Sequence, residues 1–183
     1  MAAPMTYQLD GVQYVAVTAG WGGGGWPYVA RAAAAYQYEN RGRLLVFKVD
    51  GGAVPMPAPL PPLEVAPEPP PQLDGVTDAN IAKGQGLYMA NCTMCHASQQ
   101  RTISADLRRM QPTIHQAFDN ILLQGWFQAM GMPRWDDLLS PVDVRDIHAY
   151  LIAEQGRVRA HELQLQKEGK PLDSAKSGGV SSL

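Results

Sequence analysis

Five consecutive residues carry the most specific chemistry in the chain: Cys92, Thr93, Met94, Cys95 and His96. Two thiols at this spacing can each form a thioether to one vinyl group of a haem, and the adjacent histidine can then reach the iron, the attachment pattern of haem c. Two other uses of such a motif fail on the rest of the sequence. A zinc site needs further Cys or His ligands at close spacing, and the chain has only 2 cysteines, both already in the motif. A redox dithiol normally sits in a βαβ setting, which is missing around residue 92.

If His96 takes one axial position, the other falls to Met130, Met132, His115, His148 or His161. The sequence favours Met132. It stands in Gly131-Met132-Pro133, between two helical stretches, where a sulfur is free of helical constraint, and the following proline restricts its backbone to extended conformations. Met130 offers the same chemistry two residues earlier. The histidines read as ordinary: His148 within the last helix, His161 in its polar extension, His115 packing near the second helix. Trp126, Phe127 and Trp135 bracket the methionine loop and suit apolar packing around a porphyrin, with a Trp135 indole N–H available to a haem propionate. Pro112 is a weaker candidate for packing on the histidine side. With two protein ligands on the iron, no position remains for oxygen or substrate, so the expected work is electron transfer, at the fairly high potential that thioether ligation gives.

The rest of the chain must position this site. At 183 residues it has room for one ordinary domain and something smaller. A net charge of -2 with scattered Lys and Arg leaves no nucleic-acid footprint. No run of about 18 apolar residues predicts a membrane span. Haem c attachment implies an exported, periplasmic location, yet Met1 to Tyr7 has no basic and apolar leader. The expectation is therefore a longer precursor or a piece of something larger.

Residues 1–52 read as β structure. Met5–Leu9 and Gln13–Thr18 flank Asp10-Gly11, a strong hairpin signal. Both faces of the second run are apolar, predicting a strand buried on both sides. A glycine-rich loop with Trp21 and Trp26 follows, then an ambiguous stretch in which Ala32–Ala35 allows a helical turn, then a third strand over Arg43–Val49. Three strands cannot cover two apolar faces and would leave open edges, so this segment is expected to complete a larger β structure. Residues 53–76 are a linker, with 9 prolines from Pro55 to Pro71 and the semi-rigid, extended character such composition gives. Residues 77–165 are helical: a helix over Ala79–Ala90 capped by Thr77 or Asp78, with Ile81, Gln85 and Tyr88 near one stripe; a second over Ile114–Leu123; and a last one opened by Ser140-Pro141-Val142-Asp143 and weakened at Gly156. Residues 166–183 read as a flexible tail.

On these residues the helical part resembles a class I cytochrome c domain. The carriers are Gly84-x-x-x-Tyr88, Cys92-x-x-Cys95-His96, Gly131-Met132-Pro133 and Ile147-x-x-Tyr150-Leu151. The resemblance implies that the first and last helices cross at Gly84, beside Tyr88 and Tyr150. The N-terminal part resembles the closing blade of the β-propeller of PQQ-dependent alcohol dehydrogenases, on Pro4 to Tyr7, Asp10-Gly11, Gln13 to Val17, Gly20-Trp21-Gly22-Gly23 and Arg43 to Phe47. In the quinohaemoprotein members a proline-rich linker and a cytochrome c domain follow that blade, the order seen here.

The fold expected from the resemblance is thus mixed: an all-β blade segment followed by an all-α class I cytochrome c domain. It implies covalent haem c, places Gly20 and Trp21 near pyrroloquinoline quinone (PQQ), and puts PQQ and calcium on a larger propeller chain. The catalytic base and calcium site belong to earlier blades, so this chain alone would not oxidise an alcohol. It would instead relay electrons singly from reduced quinone to an external cytochrome, copper protein or quinone. The rival reading is a free-standing c-type cytochrome whose N-terminal extension docks on a redox enzyme.

Overall fold

Asp10 and Gly11 both adopt positive φ, 50° and 78°, the backbone that a two-residue hairpin turn of matching twist requires. They join β1 (Met5–Leu9) to β2 (Val12–Ala19), paired antiparallel from Leu9 opposite Val12 to Met5 opposite Ala16. β3 (Arg43–Lys48) adds to the other edge of β2, giving the order β1-β2-β3. The computed structural model describes residues 3–20, 37–38, 42–96 and 104–172. The glycine-rich loop with Trp21 and Trp26, and the Ala32–Ala35 run, lie outside the described residues.

The expectation of a doubly buried strand is not met within this chain. Of the sheet's side chains only Ala16 is buried, while Met5 (61% exposed) and Leu44 (65%) lie on one open face with Leu9, Val12 and Val46. The reason is geometric: a sheet of three strands has two faces, and the described residues supply a layer for neither.

From residue 53 to 73 the chain forms no helix or strand, with Pro59 bridged to Tyr38, and it turns at Asp74-Gly75 (Gly75 φ 69°) before the first helix. It is more than a spacer, because its second half is strapped along the last helix. Ala66 is fully buried, its N–H donates to Glu162 Oε2 (2.8 Å) and its carbonyl accepts from Arg159 (2.6 Å). Gln72 donates to the Ala149 carbonyl (2.9 Å).

The helical part comprises α1 (Asp78–Asn91), α2 (Pro112–Gln116), α3 (Phe118–Gln124) and α4 (Pro141–Lys167), with short 3-10 turns at Leu107–Arg109 and Gln128–Met130. Thr77 caps α1 in a capping box with Asn80, and Ser140 caps α4 in one with Asp143, each satisfying otherwise orphaned N–H groups. Gly84 permits the crossing of α1 and α4: a Cβ there would stand 1.9 Å from the Asp146 carbonyl oxygen. Around the crossing, Tyr88 and Tyr150 pack with ring centroids 5.4 Å apart, and Asn80 Nδ2 donates to Asp146 Oδ1 (2.9 Å).

Three details differ from expectation. Gln85 is exposed, so the buried stripe of α1 is Gly84 and Tyr88 with Ile81 at its margin. The second helix is broken at Ala117 (φ -95°, ψ 4°) into α2 and α3. The last helix does not weaken at Gly156 but runs on to Lys167: the Pro69 ring faces Gly156, where an added Cβ would lie 3.7 Å from it, and buried Glu162 is held by the strap.

Candidate haem site

Helix α1 ends where the reactive pentapeptide begins. Cys92 is its C-cap, its N–H donating to the Tyr88 carbonyl. The Cys92 carbonyl in turn accepts from the N–H groups of Cys95 (3.1 Å) and His96 (2.8 Å). One carbonyl thus gathers two thiols and an imidazole into a single turn. Neither cysteine is in a disulfide. As a free thiol Cys92 is pushed up to about 11, chiefly by burial and then by Cys95, so it is no ready thiolate at neutral pH, as a dithiol redox catalyst would need.

His96 is oriented from two sides. Its backbone carbonyl accepts the Tyr88 hydroxyl, and its Nδ1 lies 2.8 Å from the Ala105 carbonyl oxygen. A carbonyl only accepts, so Nδ1 carries the proton and Nε2 keeps its lone pair for a metal. This is the outer-shell arrangement that fixes the tautomer of a metal-binding histidine. A histidine so held, one turn from two thiols, fits the ligand set that a haem c takes. Burial pushes the Tyr88 hydroxyl well above the usual tyrosine range, so it stays a donor.

The methionine candidates separate by burial. Met132 packs, with Cys92, Leu107, Phe127 and Trp135, against a core that includes Tyr88, Met110, Leu139 and Leu151. Met130, in the 3-10 turn, is 73% exposed. The backbone N–H of Met132 donates to the Phe127 carbonyl (3.3 Å), closing the methionine loop on itself, and the backbone N–H of Trp135 donates to the Leu122 carbonyl (2.9 Å), tying the far end of the loop to α3. Trp126 is mostly exposed and takes no part in that layer. Pro112 is at N1 of α2 and exposed.

The histidines left aside by the sequence form a buried unit of their own. Gln155 donates from Nε2 to the carbonyls of Pro67 (3.0 Å) and Met110 (3.1 Å), so its Oε1 accepts from His115 Nε2 (3.1 Å). His115 Nδ1 then accepts from His148 Nε2 (2.9 Å), and His148 stacks on Phe118 (4.3 Å). Both rings are neutral: burial pulls His148 down to about 4, with His115 adding to the shift, and burial lowers His115 too. His161 is exposed on α4. Sequence reasoning did not find Ala105, whose contribution is a backbone carbonyl, nor the polar residues Arg109, Gln155 and Glu162 that hold the strap. Of the two residues expected near PQQ, Gly20 is exposed at the end of β2 and Trp21 lies outside the described residues. Among the described residues no helix is long and apolar enough to cross a membrane.

Residues 79–151 match the protein-family model described as cytochrome c oxidase, cbb3-type, subunit III. Quinohemoprotein alcohol dehydrogenase ADH IIB of Pseudomonas putida is 39% identical over 85% of this chain and 22% of its own length. Its relative ADH-IIG of the same species is 36% identical over 97% of this chain and 24% of its own. The solved structure of ADHIIG from Pseudomonas putida HK5 superimposes with a TM-score of 0.66 at 33% identity, covering 92% of this chain and 23% of that one. The chain therefore spans less than a quarter of the length of the curated relatives it matches, 22% and 24% for these two. With its haem-type pentapeptide on a cytochrome c domain, it corresponds to the C-terminal cytochrome c portion of the quinohaemoprotein alcohol dehydrogenases.

Proposed function

We propose that this chain carries a covalent haem c, held by thioethers from Cys92 and Cys95 with His96 and Met132 as axial ligands, and serves as the electron-transfer portion of a periplasmic, PQQ-dependent alcohol dehydrogenase. The observation that carries the reading is the His96 ring, whose proton is committed to the Ala105 carbonyl at 2.8 Å in the turn that also gathers both thiols. When bound, haem supplies a one-electron carrier whose potential a thioether ligand raises.

The chain's own residues hold, orient and shield. Tyr88 and Ala105 fix His96 from either side. Phe127, Trp135 and Leu107 provide apolar cover beside Met132, which excludes water and leaves the Trp135 indole N–H available to a propionate. Gly20 and Trp21 are placed by the same reading toward PQQ.

The larger part of the dehydrogenase would bear PQQ and calcium, with β1–β3 closing its propeller. The open apolar faces of the sheet and the share of the relatives' length that this chain spans support that arrangement. Electrons then pass singly through this chain to an external cytochrome, copper protein or quinone. One observation favours the rival reading of a free-standing carrier: the hydrophobic cluster around Tyr88, Leu139 and Leu151 lies wholly within the helical part and draws nothing from the sheet.

The test is a haem stain on a denaturing gel after expression with haem-attachment machinery. Wild type and Met132→Ala should stain, and the Cys92→Ala/Cys95→Ala double variant should not; staining of the double variant would overturn the assignment. Purification with native neighbours separates the two arrangements: a folded monomer without a propeller-sized partner would favour the free-standing carrier.

A further inference from the structure

Gln155 and Glu162 stand two turns apart on α4, and both are fully buried polar side chains. Buried polar groups persist only where they are satisfied; Gln155 Oε1 takes the His115 proton (3.1 Å), and the remaining bonds of these two side chains go to the same pair of segments. Glu162 accepts from the strap at Ala66 N (2.8 Å) and pairs with Arg109 of the 3-10 turn. Gln155 donates both to the strap carbonyl of Pro67 (3.0 Å) and to the carbonyl of Met110 (3.1 Å). Arg109 closes the figure by donating to the strap carbonyl of Glu64 (2.7 Å). Strap residues 64–67 and residues 109–110 are thus cross-linked through two side chains of one helix face.

The second segment continues directly into the histidine's support. Asp106 caps the turn Leu107–Arg109, accepting from Arg108 N (3.0 Å) and from the Arg108 guanidinium (2.9 Å), while the Arg109 N–H donates to the Asp106 carbonyl (3.0 Å). The residue before it is Ala105, whose carbonyl takes the His96 Nδ1 proton. From Glu162 to His96 the path is one ion pair, one capped turn and one hydrogen bond.

We infer that Arg109, Gln155 and Glu162 are positioning residues that set the reduction potential of the haem by tying the seat of the proline strap to the carbonyl that holds His96. This rests on the proposed haem ligation by His96. An accepting carbonyl raises the basicity of a metal-binding imidazole and so favours the ferric state. A strap out of its seat loosens the turn, weakens the Ala105 contact and raises the potential. Three groups that could have been apolar without loss of burial instead fix a register, a use for which buried polar groups are known in other folds.

The test uses the full haem-loaded chain and two variants that replace linked groups by apolar ones of similar size, Arg109→Met/Glu162→Met and Gln155→Met. Either one suffices should the other fail to fold. Two quantities are read: hydrogen exchange at the Ala66 amide and the ferric-to-ferrous ratio at a fixed ambient potential. Faster Ala66 exchange with at least a threefold shift of the ratio toward ferrous iron is expected. Ser140→Ala, which removes the cap at the other end of α4, is the control for simple destabilisation and should leave the ratio unchanged. A ratio that stays put while Ala66 is released, or that moves equally in Ser140→Ala, overturns the inference and leaves the haem assignment standing. A wild-type chain without haem on a denaturing gel overturns the proposed function, and this inference with it.

Discussion

His96 is the residue on which the site depends, and its behaviour is set by what its ring cannot do. With Nδ1 protonated toward Ala105, only Nε2 can donate to a metal. The buried pair His115 and His148 shows the contrasting fate of a histidine, satisfied within the core and kept neutral. That neutrality has a pH signature. The folded value for His148, about 4, lies below the ordinary 6.5, so between them the unfolded chain binds the proton and the folded chain does not. Its contribution is complete above pH 6.5 and is lost as pH falls toward 4, on the order of 3 kcal/mol in all. Denaturant unfolding across this range should show the decline, and His148→Gln should flatten it; an equal slope in both proteins would contradict the assignment. Tyr88→Phe removes the hydroxyl that the His96 carbonyl accepts and should cost about 1 kcal/mol, read as a lower unfolding midpoint with haem still attached.

The elements differ in how far their own residues announce them. The hairpin was legible because Asp10-Gly11 is a turn by local chemistry, and the starts of α1 and α4 because Thr77 and Ser140 cap by local chemistry too. Gly84 was legible through the cytochrome c resemblance, and the 1.9 Å that a Cβ would leave to Asp146 gives the physical reason. Gly84→Ala should accordingly force the helices apart and cost about 3 kcal/mol, seen in thermal unfolding; a neutral effect would mean that the crossing yields easily. What was not legible is non-local. Ala117 breaks a helix that its neighbours would continue. α4 passes Gly156 because the strap packs there. Nothing in the residue Ala105 itself marks its carbonyl as the partner of His96. Met132 was separable from Met130 in sequence only by the proline after it, whereas burial separates them directly.

At the scale of the whole molecule, two parts with opposite economies are joined by a strap. The helical part closes its own core around the site. The sheet leaves Met5, Leu9, Leu44 and Val46 open on one face, an apolar surface that monomeric proteins seldom leave uncovered. Without a larger partner the chain should self-associate through the sheet, and sedimentation should show oligomers that vanish when Leu44 and Val46 are replaced by Lys or Glu. A strictly monomeric wild type would contradict an uncovered sheet face. Haem held between His96 and Met132 is the proposal on which the rest depends, and an optical redox titration of the haem-loaded chain tests it most directly. Met132→Ala should retain its haem and lower the midpoint potential, while Met130→Ala leaves it unchanged. A potential that stays the same in Met132→Ala would contradict the account.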